Sequence, residues 1–269
     1  MGILRTSPIS SGEKKGLFDY VRPSVPKGYK FIISPSSIGK FFEHPKSWYK
    51  EDLMGGEREF KGNTSTVLGT ICHYIYESYN KCIEVDPDDI KIQLGKYALE
   101  HPELDINTKE ILDEYHDITE AVFKTYLYSR QEIEKDARSE VPVVAEVMPG
   151  IYVAGTTDRI ENDVIVDFKT VKTKPNELAI PFNYKVQLLA YAYALRKLGK
   201  EINWIRIVYG VRPTKKLPAR CFVVSEAITP EAEKMIEDTL YLIGESVMAV
   251  KDNVKLAYLI FKSYDLKEE

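Results

Sequence analysis

Asp158, Asp167 and Lys169 fall within sixteen residues, Gly155 to Thr170, that otherwise run to Val, Ile and Thr. If Asn162 and Asp163 make a two-residue hairpin turn at positive φ, Glu161 faces Val164, and counting outward sets Asp158 opposite Asp167. Opposite residues on one face have Cβ atoms about 4.5–5.5 Å apart, where like charges repel. Lys169 follows Asp167 by two positions, so the period of a strand puts it on the same face. A divalent cation between the carboxylates relieves their repulsion, and oxygen ligands suit Mg²⁺ or Mn²⁺. A metal site with a lysine beside it is the minimum apparatus for phosphodiester hydrolysis. The D-x-K triplet alone says little, since alternating charges are common on exposed strand faces.

Other residues could join this patch. Gly69, His73 and Glu77 lie four apart in a helical stretch, on one stripe. The glycine there would allow close backbone approach, and imidazole could complete an Asp–Asp–His ligand set. The competing reading of His73 is a packed or surface histidine. Glu140, where a first strand begins, offers another carboxylate or simply an exposed strand end. Gln187 and Tyr191 share a helix face, where directed hydrogen bonds could hold a lysine or a phosphate oxygen; polar tips on an amphipathic helix would look the same.

These side chains need a sheet and helices around it. Strands are predicted at Val141–Val147, Ile151–Ile160 and Val164–Thr170, an antiparallel meander, then at Trp204–Val211 and Arg220–Val224. Helices are predicted at 65–81, 88–99, 108–130, 183–198 and 230–250, after a helix start at Ser34-Pro35-Ser36-Ser37 and a polar loop over 51–66. The fold class expected is α/β (α+β): a central mixed β-sheet whose antiparallel meander carries the active site, flanked by helices, with a helical N-terminal elaboration. Residues 1–33 read as an arm, and 34–269 as a single domain, mainly helical over 34–138 with the sheet core over 139–250.

Composition sets bounds. The chain has 269 residues, 44% hydrophobic and 29% charged, as in a soluble globular protein. No apolar run reaches the length of a membrane span, no secretory h-region opens the chain, and three scattered cysteines fit reduced thiols in the cytoplasm. The cysteines supply neither a zinc knuckle nor four thiolates for an iron–sulfur cluster. A net charge of −4 argues against a wholly basic nucleic-acid surface, but leaves room for a local path. Lys169, Lys172 and Lys174, with Arg212, Lys215 and Lys216, are the candidates.

The strings Leu68-Gly69-Thr70-Ile71-Cys72-His73, Gly155-Thr156-Thr157-Asp158, Asp167-Phe168-Lys169-Thr170 and Gln187-Leu188-Leu189-Ala190-Tyr191 occur in an order that resembles the PD-(D/E)XK nuclease superfamily. The RecB-like branch is the most similar, with phage and prophage exonucleases of the exonuclease VIII type, over roughly residues 34–250. That resemblance implies His73, Asp158 and Asp167 as metal ligands with the Phe168 carbonyl, Lys169 as the catalytic lysine, Gln187 and Tyr191 as the following helix motif, and Glu140 as an auxiliary acid. It implies a Mg²⁺- or Mn²⁺-dependent exonuclease acting on linear duplex DNA ends in recombination or end resection. Its partners would be a single-strand annealing protein and further copies of the chain, with no membrane. The alternatives are a flap or other structure-specific endonuclease on the same core, or a DNA-end-binding module with a dead site. The chain departs from CRISPR-associated relatives in lacking four cysteines, and has no G-x-x-x-x-G-K-[ST] motor loop.

Overall fold

The computed structural model of the chain describes residues 16–18, 23–56, 62–130, 138–251, 253 and 255–257. A six-stranded mixed sheet has the order β1-β3-β4-β5-β6, with β2 also paired to β3. The strands are β1 (Phe31–Ile33), β2 (Arg138–Met148), β3 (Ile151–Glu161), β4 (Val164–Val171), β5 (Trp204–Val211) and β6 (Arg220–Ala227). The helices are α1 (Ile38–Glu43), α2 (Pro45–Trp48), α3 (Thr64–Asn80), α4 (Pro87–Glu100), α5 (Thr108–Val122), α6 (Phe182–Lys197) and α7 (Pro230–Val250).

The meander forms as expected, but β1 lies inside the stretch read as an arm. Its three residues pair parallel with Ile151–Val153, and Phe31 and Ile33 are buried. Three residues are too few for a period to show in sequence. Residues 1–15 and 19–22 of that stretch lie outside the described residues. β4 and β5 also run parallel, joined through α6. The loop expected over 51–66 is shorter at both ends, since a π-helical turn covers Tyr49–Leu53 and Asn63 caps α3 by accepting from the Thr66 N–H.

Apolar residues fill both sides of the sheet. One core joins β2, β4 and β5 to α6 and α7, through Val143, Ile165, Ile207, Leu189 and Ile243. The other joins the opposite face to α3, α4 and α5, through Phe168, Val208, Leu68, Ile71, Leu94 and Ile118. Among the described residues no helix is long and apolar enough to cross a membrane.

Two buried charge networks tie the helical side to the sheet. Fully buried Glu161 accepts from the Tyr126 hydroxyl at 2.6 Å and from Arg159 at 2.6 Å, and pairs with Arg206 at 3.0 Å. Arg212, 6% exposed, donates to Glu114 from Nε at 2.5 Å, to Ser65 at 3.1 Å and to Glu110. Arg212 is therefore consumed inside the protein and is not part of an open basic path. Both networks are paired on every charge, which a buried ion requires.

Candidate active site

The turn carries the register predicted for it. Glu161 pairs with Val164, Ile160 with Ile165 and Arg159 with Val166. Of the two turn residues only Asn162 takes a positive φ, +51°. The next positions along are Asp158 and Asp167, and there the ladder stops. In place of a main-chain partner, the Phe168 N–H donates to Asp158 Oδ2 at 2.8 Å. The ladder on the other flank is interrupted at the same residue, because Ser139 pairs with Arg159 and Val141 with Thr157, and Glu140 lies between them, facing Asp158. Glu140 itself has φ +51°, a costly conformation for a side chain of that size. Glu140, Asp158 and Asp167 thus form one row across three strands, at the point where both ladders open.

The strict alternation assumed from sequence does not hold along β3. Ile151 and Val153 belong to the core beneath α6, yet Arg159 and Glu161, of the same parity, lie with Tyr126 on the opposite side, while Ile160 packs beneath α6. The facing slips by one between Gly155 and Arg159, and Asp158 sits within the slip. Irregular strand positions of this kind re-aim side chains, and here His73 Nδ1 of α3 lies 3.4 Å from Asp158 Oδ2. At Gly155 α6 comes close to the sheet. A Cβ there would lie 3.0 Å from the Tyr191 ring and hydroxyl and 3.1 Å from Pro35.

Asp167 and Lys169 are joined. The ammonium lies 2.8 Å from Oδ2 and 3.0 Å from Oδ1, with hydrogen-bond angles only at Oδ1, so Oδ2 is a buried oxygen with no hydrogen-bond partner among the described residues. Gln187 Nε2 donates to Oδ1 at 3.3 Å, so this residue of the α6 motif orients Asp167 rather than Lys169. The lysine instead has Tyr184 beneath it, its Nζ 5.2 Å from the ring centroid. Burial raises the Asp167 carboxyl above its ordinary range, against the pull of Lys169, and Asp158 adds to the rise. Burial pulls the Lys169 ammonium down, but the carboxylates of Asp167 and Asp158 outweigh it, and its pKa stands above the ordinary lysine value.

A cavity of about 570 Å³ opens over Glu140 and Asp158 of this row, with His73 and Lys169 also in its wall, while Asp167 is buried behind it. Gly69 faces it too, and a Cβ there would meet nothing within 4 Å, so this glycine leaves space and is not a packing contact. On one rim Phe18 stacks on Tyr97 at 3.9 Å between centroids, and the Leu17 N–H donates to Gln93.

Among the described residues no three His, Cys, Asp or Glu side chains converge tightly enough to hold an ion by themselves. Mg²⁺ keeps several waters and is bound through one or two carboxylates, so it does not need three such side chains. The unsatisfied Asp167 Oδ2 fits that demand, and so does the Phe168 carbonyl. N–H and C=O of one strand residue face the same neighbour, and the Phe168 N–H faces Asp158. Tyr184, and Tyr209 beside it, were not found from sequence. Tyr184 follows Phe182 and Asn183 at the start of α6, where no spacing to Gln187 marks it, and Tyr209 reads as one more apolar strand residue.

A family model described as the PD-(D/E)XK nuclease superfamily matches residues 32–247. No curated protein matches the chain. Among solved structures, a candidate exonuclease from Eubacterium rectale aligns with TM-score 0.52 and 15% identity, over 83% of this chain and 82% of that one, a likeness of fold alone. The alkaline exonuclease LHK-Exo of Laribacter hongkongensis aligns with TM-score 0.36 and 10% identity, over 87% of this chain and 94% of that one. A second LHK-Exo structure, in complex with dAMP, aligns with the same score at 12% identity; at that score neither bears on the site.

Proposed function

The chain belongs to the PD-(D/E)XK nuclease superfamily, and from that premise we propose that it is a metal-dependent DNA exonuclease that hydrolyses phosphodiester bonds from DNA ends. The single observation that carries the reading is the row Glu140–Asp158–Asp167, held open in both ladders with Lys169 paired to its inner member. Asp158, Asp167 and the Phe168 carbonyl, with His73 alongside, would hold Mg²⁺ or Mn²⁺. A bound ion supplies concentrated positive charge that stabilises the charge building on the phosphate.

The chain's own residues do the rest. The Phe168 N–H fixes Asp158, with His73 Nδ1 3.4 Å from the same oxygen, and Gln187 fixes Asp167. Lys169, still charged well above neutral pH, donates to the attacking water or to a non-bridging phosphate oxygen. Tyr191 keeps α6 against Gly155, which sets the distance from Gln187 to the strand. Glu140 adds a further carboxylate on the cavity wall.

A cavity of about 570 Å³ is on the scale of a small-molecule pocket. It suits one or two nucleotides at a strand end better than a continuous duplex, which favours exonuclease over endonuclease. Recombination or end resection beside a single-strand annealing protein is the setting such an activity serves, and free Cys72, Cys82 and Cys221 suit the reducing cytoplasm.

The test is digestion of end-labelled linear DNA and of covalently closed circles, each with and without Mg²⁺. Progressive loss of linear DNA from its ends, with circles surviving, is the expected result. Rapid cutting of circles would replace the reading with an endonuclease. Tight end binding without products in Mg²⁺ or Mn²⁺ would replace it with a binding module.

A further inference from the structure

Tyr209 stands directly beside Lys169 in the parallel ladder between β4 and β5. Directly paired residues of neighbouring strands point to the same face, so the Tyr209 ring lies under α6 with Lys169, Asp167 and Tyr184. It is 1% exposed, and its hydroxyl has no hydrogen-bond partner among the described residues. Burial pushes that hydroxyl up to about 12, with Tyr184 and Asp167 adding and Lys169 opposing, which places all three within electrostatic reach. Tyr76, Ser139, Thr157 and Tyr193 also bury a hydroxyl without a partner among the described residues, but Tyr209 is the one paired in the ladder with Lys169.

The neighbouring ion pair supplies a reason for it. Lys169 spends its ammonium on Asp167, the carboxylate that also carries the unsatisfied Oδ2. If Asp167 gives its oxygens to a divalent cation, the ammonium loses its acceptor while remaining partly buried, 23% exposed, and next to new positive charge. Asp158 and Glu140 share the cavity wall with Lys169, but Asp158 is itself offered to the cation; beneath the lysine lie Tyr184, whose ring attracts a cation but accepts no strong hydrogen bond there, Gln187, which faces Asp167, and Tyr209, whose oxygen has lone pairs to offer.

We propose that Tyr209 is a positioning residue for Lys169: its hydroxyl oxygen accepts the ammonium when Asp167 releases it, and so keeps the lysine over the reacting phosphate. The inference rests on the nuclease reading given above.

Tyr209→Phe removes the hydroxyl alone. Without a divalent cation the variant should melt at or above the parent's temperature, because a buried hydroxyl without a partner costs stability rather than adding it. Its Mg²⁺ affinity by calorimetry should fall about tenfold, the worth of one hydrogen bond to a charged group, since Asp167 then gives up its lysine less readily. On end-labelled linear DNA kcat should fall by a similar factor with KM unchanged. A Mg²⁺ affinity equal to the parent's overturns the proposal, as does a lower melting temperature in the metal-free variant, which would make the hydroxyl a support of the fold. If the parent binds Mg²⁺ and cuts no DNA, the exonuclease reading fails, and the affinity difference still decides the role of Tyr209. If the parent binds neither Mg²⁺ nor Mn²⁺, this proposal falls with it.

Discussion

The Phe168 N–H donates to Asp158 Oδ2 across the end of the β3–β4 ladder, at 2.8 Å. A side-chain oxygen thereby takes the bonding position that a main-chain carbonyl would hold in a continued ladder, and the strands can part beyond it. One carboxylate both terminates the pairing and faces the cavity. Its structural and chemical duties can be separated by substitution.

Asp158→Asn keeps an oxygen for Phe168 and removes the charge. Metal binding and hydrolysis should be lost, while the metal-free melting temperature stays level or rises as repulsion from Asp167 is relieved. Asp158→Ala orphans the Phe168 N–H and should cost about 1–3 kcal/mol by denaturant unfolding. Activity retained in purified Asp158→Asn would remove this residue from the site.

Asp167 makes the fold sensitive to pH. Its folded pKa is raised above the ordinary 3.8, with burial outranking the attraction of Lys169. An acid whose folded pKa is raised contributes stability that is present below its unfolded pKa and lost as pH rises through the folded one. Metal-free parent protein should therefore lose stability relative to Asp167→Asn as pH climbs from about 4 towards neutrality. Melting curves of both proteins over that range check the sign. Added Mg²⁺ should close the gap by stabilising the parent alone.

Lys169→Ala removes the cation that opposes this burial. Asp167 then rises further, and the metal-free variant should be less stable by roughly 1–3 kcal/mol, below the fully buried case because the lysine is partly exposed. Turnover should drop by orders of magnitude while calorimetry still shows Mg²⁺ binding. Loss of Mg²⁺ binding as severe as in Asp158→Asn would show that the lysine shapes the ligand set itself.

The meander, its turn and the register as far as Arg159 and Val166 were legible because a two-residue loop fixes register and β-branched alternation fixes the strands. What alternation could not reveal is the slip in β3, which lies opposite Glu140 and its positive φ in the neighbouring strand. Arg212 looked like a surface cation in a Pro-bounded loop, and only the fold shows Glu110 and Glu114 waiting for it from α5, about a hundred residues earlier. Gln187 was found by its spacing to Tyr191, but its partner was not, because Asp167 against Lys169 is a tertiary choice. β1 and Tyr209 were missed for a common reason: three apolar residues, or one tyrosine in an apolar strand, carry no period that marks a role.

The salt dependence of DNA binding sorts the basic residues. Lys215 and Lys216 are exposed in the loop between β5 and β6, whereas Arg212 is enclosed by Glu110 and Glu114. If the loop tracks a strand, replacing both lysines with Gln should flatten the slope of log affinity against log salt by about 0.7 per lysine on single strands. Arg212→Gln should leave that slope unchanged and instead cost stability, about 1–3 kcal/mol, below the fully buried case because Glu110 and Glu114 are partly exposed. An unchanged slope in the double lysine variant would move the path elsewhere, with Lys172 and Lys174 next to be tried.

Gly69 gives the sharpest separation of fold from function. It lies within α3, a Cβ there would meet nothing within 4 Å, and the position lines the cavity. Gly69→Ala should raise the melting temperature, since alanine is favoured over glycine in a helix interior by about 0.8–1.0 kcal/mol. If the cavity receives a nucleotide against α3, the same methyl group intrudes on it, and KM for linear DNA should rise while Mg²⁺ affinity holds. A more stable variant with parental KM would mean that the strand end does not approach this face of the helix. A larger Gly69→Val then provides the limiting case: if even that side chain leaves KM untouched, the substrate must enter along the Glu140 side of the row.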